Sequence, residues 1–310
     1  MAKILTITLN PAIDVTIELN ELRLGEVNRQ EHVQLHAAGK GLNVAQVLHD
    51  LGHTVIVSGF LGRENREIFD KHFHHMQFDN QFIYIDGETR QNIKVAESSG
   101  RMTDINGKGF IISEQNKTAF FAQIEACSVD IDHVVIAGSL PQGFSIDDFK
   151  SLISLLKKLN KKIAIDTSGK ALATAIAMNP WLIKPNTDEL EESFGKNVEQ
   201  FSAQTELFKQ LDSQIEHVVI SMGENGVNWL NSGKALHAQP PKMTVKSTVG
   251  AGDSLLAGML HGLVSNFTPE ETLTTATAIA SHAVSQVGFR IPTQDKLAHL
   301  KQQTTIKSLS

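Results

Sequence analysis

The chain has 310 residues, 41% hydrophobic and 20% charged, which suits one large α/β domain or two small ones around a sizeable core. Its formal net charge of −6 offers no basic face for a nucleic acid, so any anionic ligand must be held by local cations and backbone N–H groups. A single cysteine, Cys127, excludes an intramolecular disulfide and a cysteine-based zinc site, and fits the cytosol.

At the N-terminus, Asn10, Pro11 and Asp14 interrupt the apolar stretch too early for a secretory signal. No run reaches the roughly 20 apolar residues of a membrane span, so a cytoplasmic protein without a membrane partner is expected. The first predicted strand is Lys3 to Leu9, rich in Ile, Leu and Thr and stopped by Asn10-Pro11. A helix follows over Gly41 to Leu51, where Val44, Val47, Leu48 and Leu51 share one face and Gly52 supplies the stop. Thr54 to Ser58 reads as a strand and Glu64 to His75 as a polar-faced helix.

The texture changes over 82–112. Short alternating segments separated by Asp86-Gly87, Ser99-Gly100 and Asn106-Gly107 predict antiparallel β structure. With Val15 to Leu19 and Glu31 to Leu35 they could form a small sheet beside the main body. The β/α rhythm then resumes with strands at His133 to Ala137, Lys162 to Asp166, Trp181 to Lys184 and His217 to Ser221. Helices are predicted at Ser145 to Leu159 and Phe201 to Leu211, and two more, about Gly252 to Ser265 and Pro269 to Val287, close the chain. Such alternation implies a mostly parallel sheet covered on both faces, with ligands beyond the C-terminal strand ends.

No G-x-x-x-x-G-K-[ST] loop, G-x-G-x-x-G fingerprint, G-x-S-x-G elbow or H-E-x-x-H occurs, so any phosphate site is built another way. Thr248-Val249-Gly250-Ala251-Gly252-Asp253 opens an apolar helix, where two glycines let backbone N–H groups and the helix dipole meet an anion. Asp253 is either a base for a substrate hydroxyl beside that anion or merely a helix cap, and its place at a helix start predicts a low pKa. Gly39-Lys40-Gly41-Leu42-Asn43 opens the earlier helix and could bind a sugar phosphate, or be a turn with a solvated lysine.

Lys184-Pro185-Asn186 leads to Glu189 at capping-box spacing, and Glu189 could instead help hold Mg²⁺ through water. Ser221, Gly223, Glu224 and Gly226 form a turn able to cover a nucleotide or simply to close a hairpin. Gly138-Ser139 follows a strand, and Arg90 could pair bidentately with phosphate. The histidine-rich tract 71–75 reads as a solvated helix face.

In this order the segments TLNPAID, AAGKGLNVA, GFLG, ETRQNIKV, TDIN, GSLP, KPNTDEL, SMGENG and STVGAGDS resemble the ribokinase/PfkB family of sugar kinases over nearly the whole chain. NPAID and KPN are similar to the branch acting on phosphorylated ketohexoses, and HAAGKGLNVAQVLHDLG to its members acting on fructose 1-phosphate. Some relatives carry Gly-Gly where this chain has Ala38-Gly39, so residue 38 receives no oxyanion role. The resemblance implies a single ribokinase-like domain over 1–310. It is a three-layer αβα sandwich with a mostly parallel sheet and a small β-sheet lid from segments at about 12–36 and 82–112. It implies ATP and Mg²⁺ as cofactors and a homodimer paired through the lid.

By the same resemblance Asp253 is the base, and Gly250, Ala251 and Gly252 stabilise the phosphoryl group in transfer. Asp14 binds sugar hydroxyls, while Gly39, Lys40, Asn43, Arg90 and Ser139 hold the sugar phosphate. Lys184, Asn186, Ser221, Gly223, Glu224, Gly226 and Thr248 lie on the nucleotide side, with Glu189 toward the metal. The implied reaction is phosphorylation of fructose 1-phosphate at C6. Tagatose 6-phosphate and fructose 6-phosphate are the alternative substrates within the family. A missing G-x-G-x-x-G argues against an NAD-linked dehydrogenase, and the intact GAGD turn against a non-catalytic sugar-phosphate sensor.

Overall fold

The structure, a computed structural model, describes residues 1–231, 234–286, 288 and 290–309. The body is built on β1 (Lys3–Thr8), β4 (Thr54–Gly62), β5 (Asp79–Ile85), β8 (His133–Ala137), β9 (Lys162–Asp166), β10 (Leu182–Ile183) and β11 (His217–Ser221), all parallel. Antiparallel β12 (Val227–Asn231), β13 (Lys234–Gln239) and β14 (Thr305–Leu309) extend one edge. The sheet order is β14-β13-β12-β11-β10-β9-β8-β1-β4-β5.

The helices are α1 (Lys40–Asp50), α2 (Glu67–Met76), α3 (Glu114–Cys127), α4 (Ile146–Lys158), α5 (Gly169–Ala177), α6 (Thr187–Phe194), α7 (Phe201–Gln210), α8 (Ala251–Val264), α9 (Pro269–Val284) and α10 (Gln294–Gln303). Successive strand residues feed two separate cores. Ile4, Val55, Val57 and Val135 pack with Leu42 of α1, Phe69 of α2, Leu256 of α8 and Leu273 of α9. Their neighbours Leu5, Ile56, Val134 and Ile136 pack with Phe120 of α3, Phe149 of α4, Leu172 of α5 and Leu207 of α7. A sheet clothed on both faces explains why its strands read as continuous apolar runs rather than alternating ones.

A second sheet, in the order β3-β2-β6-β7, comprises β2 (Ala12–Leu19), β3 (His32–Ala38), β6 (Gln91–Glu97) and β7 (Met102–Asn106). The expected second lid segment, 82–112, is therefore narrower. Residues 79–85 join the main sheet parallel to β4, because α2 carries the chain back to the starting end of the sheet. Residues 108–113 form no strand, and their β-pairing is the isolated bridge Ile111 to Gln142. Across the lid, Leu35, Val15, Ile93 and Ile105 form one apolar rung through paired positions. Asp14, Asn92 and Lys94 point to the opposite face, one residue out of phase.

Three internal helices are absent from the sequence-based expectations, and one of them, α3, lacks a periodic signal. In α3 only Lys117, Phe120 and Ile124 are buried, so the apolar stripe is thin, and its start is set by a Ser113–Asn116 capping box. The short α5 carries Ala171, Leu172, Ala175 and Ile176 on one buried face, and α6 starts at the Asn186–Glu189 capping box whose spacing the sequence shows. At the C-terminus, α10 and β14 follow the two helices expected to close the chain, and the expected end of α9 at Val287 lies outside the described residues.

Helix α1 approaches β1 so closely that a Cβ on Gly41 would sit 2.9 Å from the Ile7 carbonyl oxygen and closer still to Thr8 Oγ1. Gly41→Ala is expected to destabilise the fold by about 1–3 kcal/mol through overpacking, despite the better helix propensity of alanine. A lower denaturant midpoint at unchanged slope checks this.

Candidate active site

Three helix N-termini meet beyond the C-terminal ends of the strands. Strand β9 ends on Asp166, whose carboxylate is fully buried. Lys40 Nζ, in the first turn of α1, lies 3.3 Å from both of its oxygens, and Lys184 Nζ lies 3.4 Å from Oδ2. Burial pulls the Lys40 ammonium down, but Asp166, Asp253 and Glu189 outweigh it and hold Lys40 above the ordinary lysine range. Lys184 is itself buried, and a Cβ on Gly252 would stand 3.2 Å from its Nζ, so glycine leaves room for the ammonium beside the GAGD turn.

Gly250, at φ +82°, is the N-cap of α8, and no side chain caps it. The first i to i−4 bond runs from Ser254 N to Gly250 O at 2.9 Å, so the amides of Gly252 and Asp253 precede the helical ladder and face the positive end of the dipole. The capping role open to Asp253 is thus not the one it takes. Its side chain is buried, and Oδ2 accepts a 2.7 Å hydrogen bond from Asn43 Nδ2 of α1. Burial pushes the Asp253 carboxyl above the usual carboxylate range, with Lys40 opposing, Asp166 adding, and Asn43 and Lys184 opposing. The low pKa expected from the helix start alone is corrected, because desolvation of a buried carboxylate exceeds the pull of the dipole.

A cleft of about 210 Å³ opens beside this cluster at the ends of β1, β8 and β9. It brings together Gly39, Lys40, Arg90, Ser139 and Glu189 of the expected site residues, and adds Thr8, Asn10, Gly138, Thr167 and Ser168. Arg90 is held by the carbonyls of Pro11 at 3.2 Å, Asn10 at 3.0 Å and Gly107 at 3.0 Å. Burial lowers its pKa and Asp14 opposes the shift, yet a guanidinium starting so high stays charged. Ser139 Oγ accepts from Asn10 Nδ2 at 3.1 Å. Asp14 stands outside the cleft lining, joined to it through Asn92, which donates to Asp14 Oδ1 at 3.1 Å and accepts from Arg90 Nη1 at 3.4 Å.

The remaining expected residues lie at the end of β11 and in the loops that follow β10 and β11 and precede α8. Ser221 pairs with Asn186 by an isolated bridge and donates its N–H to Pro185 O at 3.0 Å. Gly223 and Glu224 lie in a 3₁₀ turn that ends at Gly226, φ +93°, and the Glu224 carbonyl accepts from Gln239 Nε2 at 2.9 Å. Exposed Thr248 accepts from Ala251 N at 3.4 Å. None of these lines the cleft.

Asn186 and Glu189 do form a capping box, with Glu189 N donating to Asn186 Oδ1 at 2.7 Å and Asn186 N donating to Glu189 Oε2 at 2.8 Å. The Glu189 carboxylate keeps spare acceptor capacity on the cleft wall. Among the described residues no cluster of three or more His, Cys, Asp or Glu side chains could cage an ion alone. That donor set fits Mg²⁺, which is ordinarily held by one or two carboxylates, water and substrate phosphates. Sequence reasoning missed Asp166, although a lone carboxylate ending an apolar strand at the ligand-binding edge was a usable signal.

The model of the pfkB family of carbohydrate kinases matches residues 7–296. The chain belongs to that family. Among pfkB relatives it is 44% identical to the 1-phosphofructokinase of Vibrio cholerae, over 99% of this chain and 97% of that one. It is 41% identical to the 1-phosphofructokinase of Haemophilus influenzae, over 92% of each. The crystal structure of phosphofructokinase-2 from Escherichia coli superposes with a TM-score of 0.88 at 27% identity, covering 97% of this chain and 99% of the other. This pfkB kinase is accordingly a phosphotransferase with ATP as phosphoryl donor and the ribokinase-like αβα fold.

Proposed function

We propose that the chain is a 1-phosphofructokinase, transferring the γ-phosphoryl group of ATP to the C6 hydroxyl of fructose 1-phosphate to give fructose 1,6-bisphosphate and ADP. The reading is carried by the buried Asp253, set behind a glycine turn at a helix N-terminus and flanked by Lys40 and Lys184. Its substrate rests on full-length similarity to relatives bearing that name. Asp253 accepts the proton of the C6 hydroxyl as its oxygen bonds to phosphorus and the bond to the ADP oxygen breaks. Its upward pKa shift makes it a stronger base than an ordinary aspartate.

The Gly250-Ala251-Gly252 turn and Lys184 stabilise charge on the transferring group. Lys40, Arg90 and Ser139 hold the sugar phosphate with Gly39 and Asn43, and Asp14 accepts sugar hydroxyls. Ser221, Gly223, Glu224, Gly226, Thr248 and Asn186 form the nucleotide side. Bound Mg²⁺ would supply charge neutralisation on the phosphates, with Glu189 as its protein contact through water.

ADP release measured across fructose 1-phosphate, fructose 6-phosphate and tagatose 6-phosphate tests the reading. The highest kcat/KM is expected for fructose 1-phosphate, and a preference for either 6-phosphate overturns it. Lys40→Met and Arg90→Gln each remove a charge-assisted contact worth about 1.5–3 kcal/mol. Each should raise the sugar-phosphate KM by roughly 10- to 150-fold at a nearly constant ATP KM. Initial rates with one substrate varied at a time check the split.

The lid supports a homodimer. The outer ends of its apolar rung, Leu35 and Ile105, are 53% and 57% exposed, and a second copy of the same face would cover them. Sedimentation velocity of the intact chain decides it, and a monomer at micromolar concentration refutes it.

A further inference from the structure

Lys94 lies on the polar face of the lid, inside the ETRQNIKV segment, and the family resemblance assigns it no role. On β7 the residue directly opposite is Asp104, and on β2 its partner position is Thr16. A surface lysine would ordinarily use the facing carboxylate. Instead Lys94 Nζ reaches diagonally to Asp14 Oδ2 at 2.6 Å, and both side chains are largely buried, at 17% and 16% exposure. The other carboxylate oxygen, Oδ1, accepts from Asn92 Nδ2, and Asn92 in turn accepts from the cleft-lining Arg90. Asp14 is thus held at both oxygens by neighbouring residues of one strand, β6, and the line Lys94–Asp14–Asn92–Arg90 ends in the cleft wall.

We propose that Lys94 is a positioning residue for the sugar, acting through Asp14. Two donors on one strand fix the carboxylate plane, and each oxygen keeps a second lone pair for a substrate hydroxyl. A carboxylate held in place before binding costs the sugar no reorganisation, so its hydrogen bonds go further toward affinity. The ammonium also offsets a negative charge that would otherwise stand beside an incoming phosphorylated sugar. The substrate class this selects is a polyhydroxylated ring bearing an anionic group. The hydroxyls are read by an oriented carboxylate, and the anion is read separately by Arg90 and Lys40.

This inference rests on the sugar-phosphate kinase reading, and the test separates the two. Wild type, Lys94→Met, Lys94→Arg, Asp14→Asn and the Asp14→Asn/Lys94→Met double variant are assayed as full chains with fructose 1-phosphate and MgATP. Thermal unfolding is followed on each. Lys94→Met is expected to raise the sugar-phosphate KM roughly 10-fold or more, the scale of a lost charge-assisted contact, with ATP KM changed less than about 2-fold. Lys94→Arg restores most of the loss, which a packing defect would not allow. In the Asp14→Asn background Lys94→Met adds little, because the carboxylate it orients is gone. An unchanged sugar-phosphate KM in Lys94→Met, equal losses for both substrates, or full additivity in the double variant overturns the proposal while leaving the kinase reading intact. A wild type that turns over none of the three sugar phosphates sinks both.

Discussion

Asp253→Asn is expected to fold and to bind ATP while losing roughly 10²–10⁴ in kcat, the range for a missing general base. The substitution keeps the side-chain size, but an amide cannot take the C6 proton. Single-turnover phosphorylation measures the loss directly, and near-normal turnover in a folded Asp253→Asn protein would falsify the mechanism. Stability supplies an independent arm. Burial raises the folded-state pKa of Asp253 above its unfolded value of about 3.9, so its favourable contribution is fully present below that value. It is lost as pH rises through the folded pKa, where a buried carboxylate must ionise. Wild type therefore carries a cost at neutral pH that Asp253→Asn does not, and the variant should match or exceed it in denaturant midpoint at pH 7. For the same reason the acid limb of the wild-type kcat profile should lie above the pH at which an ordinary aspartate titrates.

Asp166→Ala should be the most damaging single change to stability in the site. One carboxylate pairs with two ammonium groups, and Lys184 is only 3% exposed, so it cannot turn to water when its counter-ion is removed. Breaking a buried pair in this way costs about 3–5 kcal/mol, against nearly nothing for an exposed one. Urea unfolding of Asp166→Ala beside Lys150→Ala, which removes the exposed Lys150–Asp147 contact of 3.1 Å, makes the contrast visible. Equal midpoints for the two variants would mean that the site's charges are better hydrated than their burial indicates.

Much of the site could be read from the chain because its backbone makes demands that only glycine meets. Gly250 at φ +82° and Gly226 at φ +93° are needed at a helix cap and a hairpin, and Gly41 by sheer proximity to β1. Such needs leave local marks that motifs record. Asp166 at the end of an apolar strand and Lys94 inside ETRQNIKV carry weaker local marks, since their meaning comes from Lys40, 126 residues away, and Asp14, 80 residues away. The direction of the Asp253 pKa shift differs from the expected one for a related reason. Its helix-start position is local, whereas its burial is produced by the packing of α1 against α8. Likewise the 79–85 strand carried a plausible hairpin texture, and only the preceding α2 shows that it must run parallel to β4.

The two-residue repeat of the lid strands bears on how this enzyme can diversify. Asp14, Asn92 and Lys94 look one way and Val15, Ile93, Leu35 and Ile105 the other, so neighbouring codons address different properties. On the proposed roles of the two faces, point substitutions at one parity would retune which sugar is accepted, and those at the other parity would retune what covers the outer face. Each trait can drift under its own selection while the other is kept. A single-residue insertion within β2 or β6 has no such freedom, because it exchanges the two faces beyond it and forfeits both traits together. Lineages descending from this chain should therefore vary freely in lid side chains while holding the lengths of its strands constant.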